Sequence, residues 1–149
     1  MNTLNSTWES RFIDLAKTIG SWSKDKTKIG AVVVGEKRQI LAQGYNGFPR
    51  GIMDTEARLK DRETKLKYVV HAEMNCIYNA CHNGTCLDGA TLYVHGLPVC
   101  SDCAKGVIQV GIKNVFMAFD RKLLVGPWGD SWNLTKSMFD EAGVGYWVT

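Results

Sequence analysis

Long apolar runs are missing from this sequence. Stretches such as GAVVVG (30–35) hold about five apolar residues, far short of the roughly 20 that a membrane-spanning helix needs. Charge of one sign is also scarce: 18 Lys and Arg against 15 Asp and Glu leave a net +3, which does not by itself argue for a nucleic-acid partner. The opening residues MNTLNSTWESRF lack a basic segment followed by an apolar one, so no secretory signal is expected and a cytoplasmic location is. In that compartment the five cysteines are expected as metal ligands, catalytic thiols or core residues rather than disulfides. No repeat, low-complexity tract or Pro/Gly-rich linker divides the chain, so one domain over residues 1–149 is expected. With 45% hydrophobic residues it can bury one sizeable core.

The periodicities suggest an order of elements. Trp8, Phe12, Leu15, Ala16 and Ile19 form one stripe of an amphipathic helix over residues 7–19. IGAVVVG (29–35) and QILAQGY (39–45) read as an antiparallel hairpin about the polar EKR. DTEARLKDRETKLK (54–67) is dense in charge and reads as a solvated helix or a mobile insertion. A helix is predicted from Val69 to about His82, stopping at Asn83-Gly84. A strand follows at 90–96, a helix from Ser101 to Gly111 and a strand at 113–119. A GPWGD loop (126–130), a helix capped by Ser131 and running to Ala142, and a last strand in VGYWVT complete the pattern. Strands alternating with helices after the hairpin imply parallel pairing with right-handed crossovers. The expected fold is α/β: a three-layer α/β/α arrangement about a mixed five-stranded sheet.

HAEMNCIYNACHNG (71–84) places His71 and Glu73 two positions apart, on different faces of a helix. A plain reading is a histidine near a helix start with an acid in the first turn, where the macrodipole favours negative charge. Downstream, PVCSDC puts Cys100 and Cys103 three apart at a strand-to-helix junction, where free N–H groups favour thiolates. A redox pair is one reading of that spacing. With His71 as third ligand the set instead matches a catalytic zinc, whose fourth position stays open to water. Glu73 then stands beside that position and moves protons. A closed zinc-stabilised binding module would need a fourth ligand, and none stands at a suitable spacing. Cys76 reads as core; Cys81, His82 and Cys86 are candidates for a second metal cluster, although their spacing matches no standard template.

HAE followed by PVCSDC resembles the zinc-dependent nucleoside and nucleotide deaminases. Together with GAVVV, ILAQGYNGFPRG and LYV…CSDCAKGVIQVGI, the pattern over roughly residues 23–119 is similar to the deoxycytidylate deaminase family, which converts dCMP to dUMP and ammonia. The resemblance implies Zn²⁺ held by His71, Cys100 and Cys103, with Glu73 as the catalytic acid–base. It also implies Asn46 at the sugar hydroxyl and Ala72 within the substrate site. One departure is Val99, which stands between Pro98 and Cys100 where the family has proline directly before the cysteine.

Arg50 offers a fixed cation suited to phosphate oxygens, and the loop SWSKDKTKIG (21–30) adds Ser23, Lys24, Lys26 and Lys28. Lys28 and Arg50 are therefore the expected grip on a 5′-monophosphate. The glycines of GYNGFPRG read as turn positions with positive φ. In the resembled family that stretch is associated with activation by dCTP and inhibition by dTTP, in hexamers. The resemblance thus makes Tyr45, Asn46, Gly47, Phe48 and Arg50 effector candidates, and a bound triphosphate would bring Mg²⁺. Expected partners are dCMP, the two effectors and further copies of the chain, with no membrane and no nucleic acid. A deaminase acting on tRNA adenosine, a free base or a nucleoside is the nearest alternative; basic and aromatic residues are not clustered as a strand-binding groove requires.

Overall fold

A computed structural model describes residues 7–149. The elements are α1 (Thr7–Gly20), β1 (Gly30–Val34), β2 (Ile40–Tyr45), α2 (Glu56–Lys60), α3 (Arg62–Tyr68), α4 (Ala72–His82), β3 (Thr91–Gly96), α5 (Ser101–Gln109), β4 (Asn114–Phe119), α6 (Gly129–Ala142) and β5 (Gly145–Val148). A 3₁₀ turn, Arg121–Val125, precedes α6. One sheet runs in the order β2-β1-β3-β4-β5. β1 is antiparallel to both β2 and β3, whereas β3, β4 and β5 are parallel. The expected mixed five-stranded sheet and its hairpin are present. Among the described residues no helix is long and apolar enough to cross a membrane.

Strand periodicity divides the core. Ala31 and Val33 of β1, Leu92 and Val94 of β3, and Val115 and Met117 of β4 face α4, α5 and α6. Their alternating neighbours Val32, Val34, Tyr93 and Phe116 face α1, meeting Phe12, Ile13, Ala16 and Ile19. On that second face Phe12, Tyr93, Phe116 and Trp147 stack in series, with ring centroids 5.1, 5.3 and 4.7 Å apart.

β2 is a sheet edge, and α4 lies directly on it. Asn75 Nδ2 donates to Tyr45 O at 2.8 Å and Asn79 Nδ2 to Gln43 O at 2.7 Å, so the helix occupies carbonyls of an edge strand. Gly44 lies between those two carbonyls, where a side chain would run into the backbone of α4 at Ala72, Asn75 and Cys76. The glycines of GYNGFPRG therefore serve unlike ends: Gly44 permits close approach, and only Gly51 has a positive φ, 85°.

Several boundaries differ from the expectation. α4 starts at Ala72 rather than Val69, because Val70 forms an isolated antiparallel bridge with Gly47 and is held extended. The charged stretch 54–67 holds two short helices, α2 and α3, instead of one solvated helix, and α3 lines a cleft through Arg62, Lys65 and Leu66. Ser131 does not cap α6, whose N-cap is Trp128; its Oγ accepts the Ser101 N–H at 2.9 Å and so caps α5.

Candidate active site

The strand directions put the C-terminus of β2, the N-terminus of β1 and the C-terminus of β3 at one edge of the sheet, since Gly30 pairs with both Tyr45 and His95. Ile29, Asn46, Leu97, Pro98 and Cys100 therefore meet there, outside the carboxyl end of β3 where open α/β sheets bind ligands. They line one cleft together with Glu73 and His71.

His71 is the N-cap of α4, with extended backbone at φ −69° and ψ 152°, and its side chain makes no capping bond. The imidazole is thereby free to turn away from the helix while Glu73, one residue inside the first turn, follows the helical path. Cys100 is the N-cap of α5 and accepts the Cys103 N–H at 3.4 Å. The N-termini of two helices converge, and their free N–H groups favour negative sulfur. His71 Nδ1 lies 3.4 Å from Cys100 Sγ and 3.3 Å from Cys103 Sγ. Zinc bonds of about 2.0–2.1 Å to nitrogen and 2.3 Å to sulfur, at tetrahedral angles, require about 3.5 Å between such atoms. The donor set fits a zinc ion, and among the described residues it is the one group of three or more potential ligands close enough to hold a metal. Cys81, His82 and Cys86 are not brought together into a second cluster.

Charge in the cleft is tightly coupled. Cys100 is pulled down to about 4, first by the hydrogen bond from Cys103 and then by His71 and the Cys103 N–H. Cys103 moves the opposite way, and His71 is raised by its bond to Cys100. Glu73 is 4% exposed, and burial, followed by the negative charge of Cys100, pushes its carboxyl up to about 7. A carboxyl poised near neutrality can both take and return a proton. Cys76 is apart from this chemistry: buried one turn further along α4, its thiol is pushed up to about 12 by desolvation.

Residues 6–119 match the family described as the cytidine and deoxycytidylate deaminase zinc-binding region. The chain belongs to the cytidine and deoxycytidylate deaminase family. An uncharacterized deaminase of Aliivibrio fischeri is 37% identical over 93% of this chain and 91% of its own length. A deoxycytidylate deaminase of Pongo abelii is also 37% identical, over 92% of this chain and 76% of its own. Among solved structures, the apo dCMP deaminase of cyanophage S-TIM5 superposes with a TM-score of 0.72 at 24% identity, over 95% of this chain and 96% of that one. That likeness shows the shared fold.

The other expected site residues fall in different places. Asn46, 3% exposed, lines the cleft, but its side chain also ties the frame together: Oδ1 accepts the Ile29 N–H at 2.9 Å and Nδ2 donates to Thr27 O at 2.7 Å. Ala72 is fully buried against the cleft. Val99 is absorbed into the core and its carbonyl accepts Thr135 Oγ1 at 2.9 Å, while Pro98 keeps a place on the cleft wall. The expected phosphate cations do not reach this cleft. Lys28 Nζ donates to the carbonyls of Ser23 and Asp25, bracing its own loop. Arg50 donates to Asn79 Oδ1 at 2.7 Å and lines a separate cleft with Tyr45, Gly47, Phe48 and Tyr78. Residues that sequence reasoning passed over, Arg62, Lys65, Leu66 and Trp128, line the His71 cleft instead. The i, i+3, i+4 spacing of Arg62, Lys65 and Leu66 was the available signal.

Proposed function

We propose that the chain hydrolyses dCMP to dUMP and ammonia. The observation that carries this reading is the convergence of His71 Nδ1 with two cysteine sulfurs at 3.3–3.4 Å, in one cleft with the buried Glu73. Relatives named deoxycytidylate deaminase, such as the Pongo abelii protein, support the choice of substrate. So does the fold shared with a cyanophage S-TIM5 enzyme solved with dCMP and dUMP, TM-score 0.70. His71, Cys100 and Cys103 would hold zinc, which would supply Lewis acidity and make a water easier to deprotonate. Glu73 takes a proton from the attacking water as it adds to C4 of the base, passes it to ring N3, and then carries the proton of the new C4 hydroxyl to the departing amine. Asn46 and the Ala72 backbone orient the pentose and the base. Water is consumed, the C–N bond breaks and ammonia leaves, so the step balances without a redox partner.

Zinc quantitation followed by ammonia release from dCMP, deoxycytidine, dCTP and tRNA tests the reading. Turnover of dCMP well above the others is expected; deoxycytidine or tRNA turned over as well as dCMP would overturn it.

We also propose hexamers under control of dCTP as activator and dTTP as inhibitor, each with Mg²⁺, in the cytoplasm. The support is family resemblance and the separate cleft in which Tyr45, Gly47, Phe48 and Arg50 offer aromatic faces and a cation, while Asn46 lines a neighbouring one with Tyr45, Gly47 and Phe48. An effector acts only through different affinities for two states; a hundredfold preference corresponds to about 2.7 kcal/mol. Sigmoidal dCMP saturation, steepened by dTTP and relaxed by dCTP, is expected. Superimposable hyperbolic curves from a proven oligomer would reject it.

A further inference from the structure

α3 divides its charges between two faces. Glu63 and Lys67 pair with each other at 3.5 Å, both exposed, as an ordinary i,i+4 couple. Arg62, Lys65 and Leu66 turn the other way and, with Val69 at the helix end, line the cleft that holds His71, Glu73 and Cys100. No other lysine or arginine lines that cleft.

Lys65 is 16% exposed and its Nζ lies 3.1 Å from Oδ1 of the buried Asp25, which also accepts the Thr27 N–H at 3.0 Å. An ammonium has three donors, so this pairing leaves two of them uncommitted. Arg62, with five donors, has no hydrogen bond or ion pair among the described residues. Arg62 is thus left on the wall of this cleft with no carboxylate partner, beside a lysine that still has N–H groups unspent. Unspent cationic donors are out of place around a neutral nucleoside and suit an anionic tail.

We propose that Arg62 and Lys65 hold the 5′-phosphate of the nucleotide substrate and so set the preference for a nucleotide over a nucleoside. The proposal rests on the deaminase reading above and gives it a specificity determinant that Lys28 and Arg50 do not supply. Asp25 holds Lys65 in the cleft wall, while Arg62, exposed and unpaired, closes on the phosphate when the nucleotide arrives.

The test compares ligands with and without the phosphate. Binding of dUMP and of deoxyuridine to the zinc-loaded protein is measured by calorimetry, beside steady-state rates on dCMP and deoxycytidine. Arg62→Ala is expected to raise the Kd for dUMP and the KM for dCMP about tenfold or more, leaving deoxyuridine and deoxycytidine within about twofold. Lys65→Met should do the same and Lys65→Arg should largely restore binding; unfolding curves identify a variant that simply fails to fold, for which Arg62→Ala stands in. Equal losses for ligands with and without phosphate, or dUMP held no better than deoxyuridine by the unaltered protein, would overturn the proposal. Arg62-dependent dUMP binding with no ammonia released would leave this proposal standing and remove the catalytic one. Ammonia release with Arg62-independent dUMP binding would do the reverse.

Discussion

The position of α4 decides the site, because both His71 and Glu73 travel with it, and Gly44 sets that position. A Cβ at Gly44 would stand 2.8 Å from Ala72 O and from the Asn75 carbonyl carbon, and nearer still to Cys76 N. Ordinary contact begins at roughly 3.5 Å, so Gly44→Ala requires α4 to retreat by about 1 Å. The atoms in the way are backbone, which cannot swing aside as a side-chain end can. Asn75 and Asn79 resist the retreat through their bonds to Tyr45 O and Gln43 O. Overpacking of this kind costs about 1–3 kcal/mol, and the upper end applies where a whole helix must move. For a chain of this size that lowers Tm by about 6–12 °C. Displacement of catalytic groups by about 1 Å costs on the order of 10²-fold in rate.

Circular dichroism melting of the zinc-saturated protein reads the first effect, and kcat/KM on dCMP reads the second. Gly47→Ala is the control, since a Cβ there meets nothing within 4 Å; it should change stability by less than about 0.5 kcal/mol. A Gly44→Ala protein that melts within about 2 °C of the parent and keeps its activity would refute the close seating of α4 on β2.

Three further outcomes follow from the site. Cys103→Ser removes a sulfur 3.3 Å from His71 Nδ1 and should lower bound zinc from about one per chain to near zero, read by metal analysis. Glu73→Gln should keep zinc and fold yet lose about 10²- to 10⁴-fold in kcat; a loss under about tenfold would assign the proton work to another group. Ser131→Ala deprives the Ser101 N–H of its acceptor at the start of α5 and should cost about 1 kcal/mol, seen as a lower Tm with dCMP turnover retained.

Much of the sheet was legible because its signals are local. Alternation in GAVVV and the polar EKR gave the hairpin, and the site residues fall in two short pairs, His71 with Glu73 and Cys100 with Cys103, whose chemistry is distinctive. The start of α4 was not legible, since the bridge between Val70 and Gly47 comes from a residue 23 positions away and overrides helical pattern at Val69 and Val70. Ser131 misled for a related reason. As a serine just inside a helix it reads as that helix's cap, but tertiary packing brings it to the bare N–H of Ser101 on a different helix.

The cations teach the sharper lesson. Lys28 precedes β1, close in sequence to residues that reach the cleft, and nearness suggested a grip on phosphate. Yet a flexible lysine in a tight loop finds the carbonyls of its own loop first, and those of Ser23 and Asp25 take its donors. The same turn leaves Asp25 buried, with the Thr27 N–H as a neutral partner, and a buried carboxylate also needs a cation. Lys65, 40 residues further along, answers that need. The segment RETKLKY looks solvated because four of its seven residues are charged, but on a helix those charges fall on two faces with separate fates. Glu63 and Lys67 cancel each other in water; Lys65 is drawn in by Asp25 and brings Arg62 with it. The charge that shares a cleft with His71 and Cys100 was therefore set by a pairing between two distant segments, and composition along either one could not have revealed it.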